Sequence, residues 1–380
     1  TTADNNTAVG FETLKAASGS AGALRGTALG FRALLSNTSG YANTAVGAQA
    51  GLVLTTGGHN TLLGMNAGDT ISTASGSVYI GSGAGQANTT GNQNIAIGLD
   101  AMGGPTTTGD NNIAIGVSAG DALTSANNNT FVGTSAGTAV NTGNGNVLLG
   151  SRAGERLTNN AANVVVGRAA LATADAGENY NVVIGGDAAT ALNNGSATYN
   201  ILIGQDAGTG GTGAMASCVA IGGNAMNSTG ANAQTGTISI GHNSLTALTS
   251  GERNTAIGYG SLDAEDAGSN NTAVGYEALT AQNNDTGANT AVGMRAGLAV
   301  TTGYSNTLLG SGAGATLQGG YQNTYVGRDA DGANGRINST AVGFGTTAQA
   351  DNSVTLGNAS VTAVYMASGS GATVYCSGVN

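Results

Sequence analysis

The chain has 380 residues with Gly 67, Pro 1 and Trp 0, and only 8% of it is charged, against roughly 25% in an average globular domain. Lys+Arg 10 against Asp+Glu 20 gives a net charge of -10, which excludes the basic footprint that nucleic acid and anionic membrane surfaces require. Aromatic residues make up 4% within a hydrophobic fraction of 40%, so the apolar material is nearly all Ala, Val, Leu and Ile. Such side chains fill a thin core that is the same at every level.

Taken from the N-terminus, Thr1 to Asn6 carry neither a basic leader region nor an initiator Met, which suggests a mature or excised piece. No run of about 18 apolar residues occurs, so no membrane insertion is expected in this segment. A five-residue motif, Asn-Thr/Ile/Val-x-Val/Ile/Leu-Gly, then begins at Asn6-Thr7-Ala8-Val9-Gly10. It recurs through Asn94-Ile95-Ala96-Ile97-Gly98 to Asn323-Thr324-Tyr325-Val326-Gly327 and beyond, in 21 copies, mostly 17 or 18 residues apart. That period is too short for a helical hairpin repeat and suits one solenoid coil of two short strands and two turns. The expected fold is all-β: a parallel β-solenoid, or β-roll, of about 21 short coils over residues 1–357. At about 4.8 Å per coil it would make a rod roughly 100 Å long.

Within the motif, position two is Thr, Val or Ile and position four is Val, Ile or Leu. Two such side chains at a spacing of two share a face, which is expected to point into the coil. Position three, most often Ala, is then expected outside, as a small face for close packing against another chain. Position one is Asn in all copies except Gly26, Ser77, Cys218, Thr237, Ser339 and Ser353. Stacked Asn side chains can form a hydrogen-bonded ladder, here Asn43, Asn60, Asn94, Asn112, Asn129, Asn146, Asn163, Asn254, Asn271, Asn289, Asn306 and Asn323. Strand-ending glycines follow at Gly47, Gly64, Gly98, Gly116, Gly133, Gly150, Gly167, Gly258, Gly275, Gly293, Gly310 and Gly327, where a backbone angle that other residues resist is expected. Three residues after each comes a small residue such as Ala50, Ala119 or Ser244, read as a tight corner, then turns of variable length such as Thr55-Thr56-Gly57-Gly58. After Gly357 the pattern stops. Residues 358–380 form a short non-repeat β segment, with alternating strands expected at Asn358–Met366 and Ala372–Cys376.

Ser353-Val354-Thr355-Leu356-Gly357, one 14-residue step after Gly343, resembles the repeats of trimeric autotransporter adhesin heads. The longer copies, such as Asn43-Thr44-Ala45-Val46-Gly47 through Gly57, are similar to repeats of phage and bacterial tail-fibre proteins, which often precede a self-cleaving chaperone domain of the endosialidase type. The resemblance covers residues 5–357. It implies a left-handed homotrimeric fibre, extracellular on a virion or bacterial surface, that presents or acts as a receptor-binding element. Its partners would be two further copies of itself and a host-surface glycan or protein receptor; a bacterial adhesin that binds matrix or glycans along the rod is the alternative. No cleavage signature of the chaperone type is present.

Candidate sites are few, and no enzyme, cofactor or metal is expected. His59 and His242 are the only imidazoles, far apart in the coil count. Asp263, Glu265 and Asp266 are the nearest acidic cluster, short of the paired carboxylates in a groove that a depolymerase needs. Asp329-Ala330-Asp331-Gly332-Ala333-Asn334 has oxygen ligands on alternate residues but lacks the closing Glu of a calcium loop, so a plain turn is expected. Gly81-Ser82-Gly83-Ala84-Gly85 is read as an ordinary corner, since no helix follows it. Tyr41, Tyr180, Tyr199, Tyr304 and Tyr321, just before the Asn column, are candidates for a sugar-stacking stripe. Ice binding is set aside because position two is taken as internal. Cys218 and Cys376 are too few for a disulfide framework.

Overall fold

The computed structural model describes residues 5–17, 25–192, 195–210, 213, 215–228, 230 and 234–364. They fall into two units, Thr1–Thr255 and Ala256–Asn380. Each is a parallel β-solenoid, all-β among the described residues, and together they hold about 20 turns.

Every motif supplies one three-residue strand made of positions two to four, such as Thr44–Val46, Ile95–Ile97 and Thr272–Val274. Successive strands pair parallel without a register shift, so Thr44, Ala45 and Val46 stand opposite Thr61, Leu62 and Leu63. Like residues therefore stack on like positions. In the first unit the ladder runs from Thr7–Val9 to Ile238–Ile240, and in the second from Thr272–Val274 to Val354–Leu356.

The expected second strand of each coil is replaced by turns. Two-residue strands occur there only at Met215–Ala216 with Gln234–Thr235 and at Asp331–Gly332 with Thr347–Ala348, among the described residues. The reason is backbone handedness. The second and fourth residues after each strand-ending Gly from Gly10 to Gly310 take positive φ, as at Arg32 (56°) and Leu34 (50°) or Glu277 (51°) and Leu279 (52°), which curls the chain instead of extending it. After Gly327 and Gly343 the fourth residue, Asp331 or Thr347, does not, and there the short strands form. A third left-handed residue stands directly before position one, as at Ala42 and His59. The curled wall still hydrogen-bonds coil to coil: Gln49 N–H donates to Phe31 O at 2.8 Å and Gly51 N–H to Ala67 O at 3.0 Å. Its polar backbone is thereby satisfied. The corner is a turn in which Ala50 N–H donates to Gly47 O at 3.4 Å.

The facing of the strand is the reverse of the sequence expectation. Position three points into the coil: Ala45, Leu62, Tyr79, Ala96, Phe131 and Leu148 are fully buried. Positions two and four point out, with Leu63, Leu149 and Ile201 all more than a third exposed. The interior is too narrow for two β-branched chains beside the Ala three residues after Gly, which is also buried (Ala50, Ala67, Ala153). One strand side chain fits, and its size is matched six residues later. Leu62, Tyr79, Phe131, Leu148, Leu202 and Leu308 are followed by Gly68, Gly85, Gly137, Gly154, Gly208 and Gly314, whereas Ala28, Ala96, Ala220 and Ala273 are followed by Leu34, Met102, Met226 and Leu279. A Cβ on Gly85 would stand 2.6 Å from the Tyr79 ring. Where both positions are small, as at Ala45 with Gly51 or Ala114 with Gly120, adjacent coils close the space: a Cβ on Gly51 would stand 2.8 Å from both Leu34 and Leu62. The two positions thus share a volume that the stack fills together, as close packing requires.

Residues 359–364 correct the C-terminal reading: they are exposed turn and irregular chain rather than the start of a strand. The remainder of that expectation, Tyr365–Cys376, lies outside the described residues.

Candidate interaction face

The outward side chains form parallel columns that climb the solenoid wall. Positions two and four contain only Thr, Val, Ile and Leu in every copy, so this face holds no charge and no obligate hydrogen-bonding amide. The residue after each Gly adds a third column on the same side by the two-residue alternation, and sequence reasoning missed it. It carries Phe11 (66% exposed), Phe31, Met65, Leu99 and Val117 in the first unit and Tyr259, Tyr276, Met294 and Phe344 in the second. Phe11 stacks on Phe31 at 5.7 Å and Tyr259 on Tyr276 at 5.4 Å. The apolar run of that column was visible in the sequence, once position four is known to face out. The ground for setting aside ice binding also falls, because position two is external.

The third column is apolar only in part, since Gln205, His242, Arg168 and Arg328 also follow a strand-ending Gly. The other charges stand beside this face, in the turn. Glu12 Oε2 accepts from Arg32 Nε at 2.8 Å and Glu277 Oε2 from Arg295 Nε at 2.9 Å across adjacent coils. Arg168 and Asp187 pair in the same way. The Lys15 ammonium and Arg32 guanidinium lower the Glu12 carboxyl, and Arg295 followed by Tyr276 lowers Glu277.

The Asn column lies inside, at the corner where the strand begins. Asn129 Nδ2 donates to Asn112 Oδ1 at 3.1 Å and to Gly143 O at 2.9 Å, while its own Oδ1 accepts from Asn146 N–H at 2.8 Å and Asn146 Nδ2 at 3.1 Å. The same pattern joins Asn43 to Asn60, Asn94 to Asn112, Asn146 to Asn163, and Asn289 through Asn306 to Asn323. Asn254 N–H donates to Thr237 Oγ1 at 3.5 Å, and Asn271 Oδ1 accepts from Asn289 N–H at 3.0 Å. Cys218 takes one rung: its N–H donates to Asn200 Oδ1 at 3.0 Å, and burial pushes its thiol pKa up. The column is structural, since buried amides bonded this way have no capacity left for a ligand. The strand-ending glycines hold φ near 138°, and a Cβ at Gly98 would stand 2.5 Å from the Gly116 carbonyl oxygen in the next coil. They too serve the fold.

Other candidates separate. No group of three or more His, Cys, Asp or Glu able to hold a metal ion occurs among the described residues. In the calcium-like turn, Asp331 Oδ2 accepts from Thr316 N–H at 3.1 Å and Asn334 Oδ1 from Gln318 N–H at 3.1 Å, so these oxygens bond the preceding coil. Glu265 points inward, where its Oε1 accepts from Gly268 N–H at 2.6 Å and its Oε2 from Gln282 Nε2 at 2.8 Å. The tyrosines do come together: exposed Tyr180 with exposed Tyr199 at 5.0 Å, half-buried Tyr304 with half-buried Tyr321 at 4.8 Å, and exposed Tyr41 edge-on to His59 at 4.6 Å.

No protein-family model matches the chain, and no curated protein matches it. No helix among the described residues is long and apolar enough to cross a membrane. The functional reading therefore rests on the geometry of the exposed columns.

Proposed function

We propose that the chain is a non-catalytic shaft: a structural fibre or adhesin segment of a phage tail fibre or bacterial surface appendage. It works outside the cell as a left-handed homotrimer that presents or acts as a receptor-binding element. The observation that carries this reading is the charge-free outward face of positions two and four, repeated in every coil. Exposed apolar columns of this extent are a liability in a monomer and mark an interaction surface. Because like residues recur at every level, the complementary surface that fits everywhere along the columns is the same face of another copy. Three copies arranged around an axis would bury the columns and leave the charged turns and tyrosine edges in water.

Light scattering with small-angle X-ray scattering on the purified chain tests this, with the mass of three chains expected and a monomer overturning it. Replacing Ile97 and Ile115 together by Lys on the outward face should lower the mass towards one chain, since buried unpaired ammonium groups cost several kcal/mol. An adhesin that binds glycans directly along the wall is favoured by the exposed Tyr180–Tyr199 stack, and it shares the trimer. The outward Thr-x-Val pattern would also suit ordered water. Thermal hysteresis is expected to be absent because assembly covers that face, and hysteresis from a monomeric rod would reassign the face to ice.

A further inference from the structure

The residue directly before each Asn of the ladder holds positive φ and forms a column along the coil edge. Its side chains form a wall, and that wall is broken at Gly76. Below the break stands His59, exposed, with the Tyr41 ring edge-on against it at 4.6 Å. The Tyr41 ring itself lies over Gly58, where an added Cβ would be 3.1 Å from its Cδ1 and Cε1. Above the break stands Gln93, exposed and with its carboxamide in no hydrogen bond. His59, Ser75, Gly76, Asn92 and Gln93 line the resulting cleft. Its back wall is pinned, because Ser75 Oγ accepts from Gly58 N–H at 3.1 Å and Asn92 Oδ1 from Ser75 N–H at 3.0 Å.

From His59 to Gln93 is two coil steps, about 9.6 Å between backbones. Gln93 Cγ leans over Gly76, 3.4 Å from where a Cβ there would stand, so next to the backbone the gap is closed. Towards solvent, less a van der Waals contact of about 3.5–4 Å at each wall, the spacing admits one saturated ring lying parallel to the coils. The floor is imidazole and backbone and the rim is amide and hydroxyl; the one carboxylate bonded to the rim, Asp110, stands behind Asn92, where its Oδ1 accepts from Asn92 N–H at 2.6 Å and Nδ2 at 3.3 Å. We propose that this notch is a binding site for a neutral pyranose: the apolar C–H face of the sugar rests on the His59 imidazole, which the Tyr41 ring buttresses edge-on, and its hydroxyls bond Gln93, Asn92 and Ser75. This division of labour, an apolar platform with a few convergent polar groups, is that of small-ligand sites generally. Two other glycines in the same column mark what the site requires. Gly145 lies between Asn128 and Ala162, and Gly236 between Ser217 and Arg253, so neither gap has an aromatic wall.

The site can be read directly, since His59 and His242 are the only histidines. Lactose, maltose and diacetylchitobiose are titrated separately into the intact chain, and the two sets of imidazole ring-proton resonances are followed by NMR. At least one sugar should shift the His59 resonances saturably, with half-saturation on the order of 1 mM for so open a site, and leave those of His242 in place. Gly76→Asn fills the notch in a conformation that Asn111 and Asn128 already adopt at this coil position, so the fold should accept it; it should weaken binding at least tenfold. Gly145→Asn should leave binding unchanged. Absence of any His59 shift, equal shifts of both histidines, or a shift that survives Gly76→Asn would each overturn the assignment.

Discussion

Coils such as Ala45 with Gly51 are filled from their neighbours, but many coil interiors take one large side chain by either of two solutions, from the strand or from the turn six residues on. Leu148 with Gly154 is one: a Cβ on Gly154 would stand 2.7 Å from Leu157 Cδ1 and 3.0 Å from Leu148 Cδ1. Ala28 with Leu34 and Ala273 with Leu279 are the other, with Leu34 at φ 50° in the conformation that Gly154 holds at 56°. Leu148→Ala should therefore cost about 3 kcal/mol as a cavity, and Gly154→Leu about 2 kcal/mol or more as overpacking. The double variant should recover more than half of the summed loss, because it recreates the alternative filling. Urea unfolding of the four proteins decides it, and simple additivity would show that the two positions do not share a volume. Polar handles obey the same economy. Where Tyr79 fills the coil, Asn88 replaces the usual Leu and bonds its hydroxyl; Tyr325 reaches Ser339 Oγ at 2.9 Å.

Coil-to-coil elements are held by two ladders, the three-residue strands and the Asn column, and the second specifies where each strand begins. Asn129→Ala would strand the Asn146 N–H and amide in a buried corner, a loss of about 3 kcal/mol. Asn129→Ser should cost roughly half as much, since Ser77 in the same slot still accepts from Asn94 N–H at 3.3 Å. Thermal melting compares the two, and equal losses would show that the column contributes packing alone. The column, the repeat and its register were legible in the sequence because Asn and Gly each meet one requirement that few residues can. The facing of the strand was not. A two-residue alternation gives two sets of side chains without saying which is inside, and assigning the more hydrophobic set to the interior presumes an interior wide enough to take it. The pairing of Tyr79 with Gly85 and Ala96 with Met102 held the answer, since residues that trade volume must share space. The curled second wall was hidden for another reason: left-handed Arg32, Leu34 and Glu277 are residue types that carry no turn signal of their own.

For the molecule as a whole, the full burial of Glu265 and the partial burial of Asp69, Asp121 and Asp331 set an unusual response to pH. Desolvation is the first cause raising the pKa of Asp69, Asp121, Glu265 and Asp331, outweighing hydrogen bonds that lower them. A carboxyl whose folded pKa lies above its unfolded value keeps its proton longer in the folded state. Its contribution is fully present below the ordinary carboxylate range and is lost as pH rises from that range through the raised folded value. Glu12 and Glu277 act in the opposite sense, but their ion pairs are solvent-exposed and contribute little. The net charge of -10 adds self-repulsion that also relaxes as acid is added. The midpoint of thermal unfolding should thus rise as pH falls from 7.5 towards the ordinary carboxylate range, by roughly 2 °C for each kcal/mol gained, where most proteins are flat or falling. Glu265→Gln should raise the midpoint at pH 7.5 and narrow the gain on acidification, because the amide removes a buried charge at the cost of one contact to Gln282. Calorimetry at constant ionic strength reads both effects. A midpoint that falls steadily on acidification would mean that the buried carboxylates are stabilised as anions by their backbone donors, Gly268 N–H above all, and that burial is the weaker influence.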